Sequence, residues 1–226
     1  MHPIERFDPR SAPPVRVDAH LPAVPTERLT AGALRERFAN PPTWSPEFVR
    51  ERPVPGRTSA LAAVLVPLVL RDEHLSLLLT QRGQNLTTHS GQIAFPGGRQ
   101  DESDRDSVHT ALREAQEEVG LAPSFVEVLG TLPIYVTGSA FIITPVVALV
   151  QPGFQLQPNP HEVADVFEVP LPFLMNPAHH RHHEATWAGD RRQFLSMPWT
   201  GPQAQERFIW GATAGMLRNL YRFLVA

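Results

Sequence analysis

The 226-residue chain contains no cysteine. Disulfides, thiolate zinc sites and a cysteine nucleophile are thereby excluded, and a reducing compartment is the natural setting. Long hydrophobic runs are also missing. The longest, Leu61–Leu70, is interrupted by Pro67 and is too short to cross a bilayer as a helix. The opening MHPIERFDPR has no basic patch followed by an apolar stretch, so no secretory signal is expected. Nor is there a large excess of one charge. The formal net charge is −3, which gives no argument for a nucleic-acid partner. No internal repeat is evident. These absences predict a cytoplasmic protein with neither a membrane nor a nucleic-acid partner.

Apolar residues make up 42% of the chain, enough for a globular core. The length suits one domain with an extension. The first 56 residues hold 11 of the 24 prolines, so residues 1–56 read as a Pro-rich arm and residues 57–226 as the main domain. The arm is expected to pack on the core or to be partly disordered. It includes one short helix, Thr30–Ala39, with Thr30 as cap and Leu34 and Phe38 on one face. In the main domain, Leu61–Leu70 and Leu75–Thr80 flank a polar turn and predict a hairpin. A polar loop, 81–91, leads to a short strand, Ile93–Phe95, that ends at Pro96-Gly97-Gly98. Further strands are expected at Phe125–Leu132, Phe141–Val150 and Val163–Val169. Arg192–Met197 and Arg207–Trp210 predict a late hairpin. A last helix, Ala212–Leu224, places Met216, Leu217, Leu220 and Leu224 on its apolar side. This order predicts an α/β fold with helices on both faces of a sheet. Four of the 10 histidines, His179, His180, His182 and His183, cluster in a locally polar stretch that reads as a solvated loop rather than a metal site.

The chemistry concentrates in GGRQDESDRDSVHTALREAQEEVGL, Gly97 to Leu121. Val108, Ala111, Leu112, Ala115 and Val119 recur at helical spacing. Asp104 or Asp106 can cap the N-terminus, and Gly120 stands where a C-terminal αL residue belongs. Glu114, Glu117 and Glu118 then project to one side of the helix. Three like charges so placed repel, and a hard divalent ion such as Mg²⁺ or Mn²⁺ would compensate them with oxygen ligation. Arg113 stands beside them with a rigid fork of donors. A solvated acidic face is the alternative reading of these residues alone.

The stretch R-E-A-Q-E-E-V-G-L, Arg113 to Leu121, resembles the second half of the Nudix box, R-E-U-x-E-E-x-G-U, with Ala115 in the first bulky position. In the first half, Arg105 occupies the place of the box's first Glu, and Asp104 or Asp106 is near enough to take the acidic role. The resemblance implies an α/β/α sandwich with a mixed sheet. It also implies hydrolysis of a nucleoside diphosphate linked to another moiety, with Glu114, Glu117 and Glu118 holding Mg²⁺ or Mn²⁺. Upstream, L-L-T-Q-R-G-Q-N-L-T-T-H-S-G-Q-I-A-F-P-G-G, Leu78 to Gly98, is similar to the signature of the coenzyme A pyrophosphatase branch. Gly83 and Thr87 depart from that signature, Thr87 replacing an arginine.

On this resemblance, Glu114, Glu117, Glu118 and Arg113 form the catalytic set, with Glu162 of the segment N-P-H-E-V as a further ligand or base. Arg82, His89, Gly97 and Gly98 are the substrate-binding candidates. Arg82 suits bidentate phosphate contact. Which glutamate is the general base stays open. The expected reaction is metal-assisted attack of water on phosphorus, converting coenzyme A to 4′-phosphopantetheine and adenosine 3′,5′-bisphosphate. Thr87 motivates the alternatives of ADP-ribose or a dinucleotide. A non-catalytic module sensing a nucleotide is the reading from another class. A homodimer is compatible with all of them.

Overall fold

The computed structural model describes residues 8–54, 56–72, 74–83, 91–187, 190–202 and 204–226, with the side chains of 187 and 190 left aside. Its elements follow the chain as β1 (Pro14–Val17), α1 (Ala31–Ala39), β2 (Ala60–Leu70), β3 (Leu75–Arg82), β4 (Ile93–Ala94) and β5 (Gly97–Arg99). Then come α2 (Ser107–Val119), β6 (Val126–Thr131), β7 (Tyr135–Val136), β8 (Phe141–Val150) and β9 (Val163–Pro170). A single turn α3 (Leu171–Leu174), β10 (Arg181–Trp187), β11 (Asp190–Thr200), β12 (Glu206–Trp210) and α4 (Gly211–Val225) complete it.

The main sheet is mixed. β2 and β8 run parallel from Ala60↔Phe141 to Val69↔Val150. β3, β5, β6, β7 and β9 join by antiparallel pairing. Buried central strands read as continuous apolar runs, and β2 shows why its run has two destinations. Ala63, Leu65 and Val69 pack with Leu78, Val146, Ala148 and Val150 against Ala111, Ala115 and Val119 of α2. Val64, Val66 and Leu68 pack with Leu77, Leu79, Val147 and Leu149 in the cluster that holds Met216, Leu217 and Leu220 of α4. Alternate side chains thus feed two cores, and the chain is the expected α/β/α sandwich with a mixed sheet.

Several details depart from expectation. The Pro96-Gly97-Gly98 stretch does not merely end a strand. Gly97 and Gly98 open β5, which pairs with Val64 and Ala63 of β2. A Cβ at Gly97 would lie 2.5 Å from the Ala63 carbonyl oxygen, so only glycine permits this approach. β3 runs two residues further than predicted because β9 pairs with it through Gln81 and Arg82.

The histidine cluster is no solvated loop. β1, β10, β11 and β12 form a second, antiparallel sheet, and His180 and His183 are buried, at 0% and 3% exposure. Each finds partners that make burial tolerable. His180 Nε2 donates to the Leu174 carbonyl at 2.7 Å, and its Nδ1 accepts from Arg218 at 3.0 Å. His183 bridges the Ala12 carbonyl and the Ser196 hydroxyl.

Met197 and Ile209 of this second sheet join the same core as α4. The last helix is therefore covered by a sheet on either side, and it is buried nearly all round, Arg218 and Asn219 included. A helix so enclosed does not need a single apolar stripe. The described part of the arm is packed: Thr30 caps α1 by accepting from the Ala33 N–H, Phe38 lies 4.8 Å from the Phe223 ring, and Glu47 pairs with Arg218 at 2.7 Å.

Candidate active site

α2 is held at both ends by groups of its own neighbourhood. Asp106 is the N-cap and accepts from the His109 N–H at 2.8 Å. Gly120 closes the helix at φ 73°, a left-handed conformation that suits glycine. Asp104 has a different task. Its buried carboxylate takes two hydrogen bonds from Arg113, 3.0 Å from Nε and 2.8 Å from Nη2. Those bonds hold Asp104 well below the usual carboxylate range and raise Arg113 further above its ordinary value.

Arg113 also gathers the helix carboxylates. Its Nη1 lies 3.0 Å from Glu114 Oε1 and 3.0 Å from Glu117 Oε2. Glu118 turns another way, accepting from the Gly97 N–H at 3.1 Å, with Arg82 Nη1 at 3.5 Å. Glu117 is more than half exposed, whereas Glu118 is 4% exposed. Burial is the main cause that pushes Glu118 up to about 7, against the Gly97 N–H and the Arg82 charge, which act the other way. Burial likewise raises Glu114. A Cβ on Gly98 would stand 2.5 Å from the Glu114 carboxylate, so the second glycine is what admits that carboxylate to the sheet.

Glu114 and Glu118 open into a cleft of about 1650 Å³, whose lining does not include Arg113 or Glu117. Arg82, Gly97, Gly98, Glu114, Glu118 and Glu162 all line it. Glu162 sits where β9 begins, its backbone carbonyl accepting from Gly83 at 2.8 Å, and its charge raises both Glu114 and Glu118. His89 and Thr87 lie outside the described residues. Sequence reasoning left Asp104 and Asp106 as interchangeable candidates; the structure separates them into clamp and cap. It passed over Arg99, whose carbonyl accepts from Arg113 Nη2 at 3.1 Å; its place directly after the two glycines was the available signal.

A family model for the NUDIX domain matches residues 60–191, more than half of the chain. The chain belongs to the Nudix hydrolase family. Among curated relatives, an uncharacterised Nudix hydrolase, NudL, of Klebsiella pneumoniae subsp. pneumoniae is 40% identical over 83% of this chain and 96% of its own length. The NudL protein of Escherichia coli K12 is 41% identical over 70% of this chain and 80% of that relative. Among solved structures, an Ap4A hydrolase of C. elegans aligns at 20% identity with a TM-score of 0.43, covering 49% of this chain and 80% of the other. Family membership makes this Nudix hydrolase a catalyst acting on phosphoric anhydrides, with a nucleoside-diphosphate-linked compound as its general substrate class. No helix among the described residues is long and apolar enough to cross a membrane.

Nudix enzymes work with a divalent cation. Among the described residues no three acid or imidazole groups already form a closed metal cluster; Glu114 and Glu117 are instead paired with Arg113. The residues nevertheless fit a hard ion. The donors are all carboxylate oxygens, and two of them, Glu114 and Glu118, have their charged forms disfavoured by burial and by neighbouring carboxylates, Glu117 and Glu162 for Glu114 and Glu114 and Glu162 for Glu118. A cation there would reverse that penalty.

Proposed function

We propose that this Nudix hydrolase cleaves the pyrophosphate linkage of coenzyme A, releasing 4′-phosphopantetheine and adenosine 3′,5′-bisphosphate. The observation that carries the reading is the carboxylate helix opening into a cleft of about 1650 Å³. Pockets for small ligands are commonly about 300–1,000 Å³, so the cleft suits a substrate with two bulky halves on either side of a diphosphate. The choice of coenzyme A rests on the segment Leu78 to Gly98. Glu114, Glu117 and Glu118 would hold Mg²⁺ or Mn²⁺, which supplies charge neutralisation and an acidified, oriented water.

The protein's own groups do the rest. Asp104 fixes Arg113, and Arg113 sets the directions of Glu114 and Glu117. The Gly97 N–H orients Glu118. Arg82 stands within an ion-pair distance of Glu118, in position to meet a phosphate oxygen that enters the site. Glu162 is the further acid, as ligand or as base.

Thr87, in the place of an arginine, favours a second reading in which ADP-ribose or a dinucleotide is the substrate. One panel separates them. The protein is incubated in Mg²⁺ or Mn²⁺ with coenzyme A, 3′-dephospho-coenzyme A, ADP-ribose and a diadenosine compound, and the products are resolved by chromatography. We expect coenzyme A to give the highest kcat/KM. A preference for the dephosphorylated form or for ADP-ribose selects the second reading, and no cleavage of coenzyme A overturns the first.

A further inference from the structure

The chain has no lysine; all 20 of its basic side chains are arginines. A diphosphate entering the cleft therefore meets guanidinium groups wherever it meets a fixed positive side chain. Those nearest the carboxylates are already engaged by acids. Arg113 holds Asp104, Glu114 and Glu117, and Arg82 faces Glu118. Elsewhere in the lining Arg207 pairs with Asp165, and Arg191 with Glu184.

Arg99 differs. It follows Gly98 directly, is exposed, and lines the same cleft. Among the described residues its side chain makes no ion pair with any carboxylate. Its backbone is fixed twice, by pairing with Ala62 of β2 and by the Arg113 donor on its carbonyl.

The pairing registers run Arg99↔Ala62, Ala62↔Ile143 and Ile143↔Tyr135, one row across four strands, and all four residues line the cleft. The small Ala62 side chain leaves room above β2, and the Arg99 guanidinium lies 6.0 Å from the centroid of the Phe141 ring. An aromatic face orients a guanidinium without using its N–H donors. The result is a directed fork of donors in the cleft, with no acid partner among the described residues.

We propose that Arg99 is a substrate-phosphate ligand, binding diphosphate oxygens through its guanidinium fork while Phe141 holds the side chain in place. This rests on the hydrolase reading of the cleft, but its test does not require turnover. Binding of α,β-methylene-ADP, which is not cleaved between its phosphates, and of adenosine is measured by calorimetry in Mg²⁺ for the wild type, Arg99→Gln and Arg99→Lys.

A charge-assisted hydrogen bond accounts for roughly tenfold or more in affinity. We therefore expect Arg99→Gln to weaken the diphosphate analogue about tenfold and leave adenosine unchanged, with Arg99→Lys in between. Equal affinity of wild type and Arg99→Gln for the analogue overturns the proposal. Equal losses for analogue and adenosine overturn it too, since they mark a distorted cleft. If the analogue shows the expected loss while no compound in the panel is hydrolysed, Arg99 stands as a phosphate ligand and the hydrolase reading is what fails.

Discussion

Glu117 and Glu118 are adjacent, chemically identical and placed in different dielectric surroundings. Glu117 projects to solvent and leans on Arg113, whereas Glu118 is nearly enclosed. Both are proposed metal ligands, so we expect either change to Gln to lower kcat/KM on the order of 10²–10³. Stability separates them. Glu117→Gln stays within about 0.5 kcal/mol of wild type, as surface changes do. Glu118→Gln stabilises the metal-free protein at neutral pH, because a charge disfavoured by burial is gone. The sign follows from its pKa, raised from 4.5 to about 7. The folded state is relatively favoured while Glu118 is protonated, fully below the unfolded pKa of 4.5, and that advantage is lost as pH rises through about 7. Urea midpoints without metal and initial rates with it test both parts. Near-wild-type rates in the two variants would remove these carboxylates from the chemistry.

At the scale of the element, the first turn of α2 shows how two nearby aspartates come to do unlike work. Asp106 satisfies an N–H that the helix leaves open. Asp104 is turned inward to Arg113. Asp106→Ala is expected to cost about 1 kcal/mol of stability with kcat of the folded enzyme retained. Asp104→Asn leaves the helix start capped but exchanges a paired carboxylate for a neutral amide beside Arg113, which frees Arg113 to draw Glu114 and Glu117 away from a cation. It should lower kcat and demand more Mg²⁺ for half-maximal rate. Thermal unfolding together with a metal titration of the rate distinguishes the two variants. A rate loss in Asp106→Ala equal to that of Asp104→Asn would show that the clamp on Arg113 has no separate role.

Over the whole molecule, α4 is the element on which the arm, the main sheet and the second sheet all converge. Arg218, near its middle, meets Asp18 and Glu47 of the arm and His180 ahead of β10. His182 also pairs with Asp18 at 2.7 Å. His180 is pushed down to about 4, chiefly by burial. Its folded value lies below its unfolded one near 6.5, so its contribution is present above 6.5 and is lost as pH falls through about 4. We expect the wild type to lose more stability than His180→Gln between pH 7 and pH 4, even though the variant starts lower. Since both proteins carry Glu118, which acts in the opposite sense over this range, the difference between their urea midpoints isolates His180. Parallel midpoints across the range would contradict the assignment.

Much of this was legible in the sequence. The apolar run of β2 dictates burial on both of its faces and the 3.6-residue stripe of α2 burial on one, and the spacing of Arg113, Glu114, Glu117 and Glu118 dictates that they share a helix side. Those are local periodicities, so they survive without knowledge of distant partners. The histidine stretch misled because its polarity is local, whereas its burial depends on Leu174, Arg218, Ala12 and Ser196, brought in from elsewhere in the chain. The same holds for β5, whose glycines announce a turn until β2 lies within 2.5 Å of where a side chain would begin. The division of labour between Asp104 and Asp106, the enclosure of α4 and the position of Arg99 over Phe141 were likewise decided by tertiary structure alone. Each depends on groups far apart in sequence, whose burial and pairing no local pattern records.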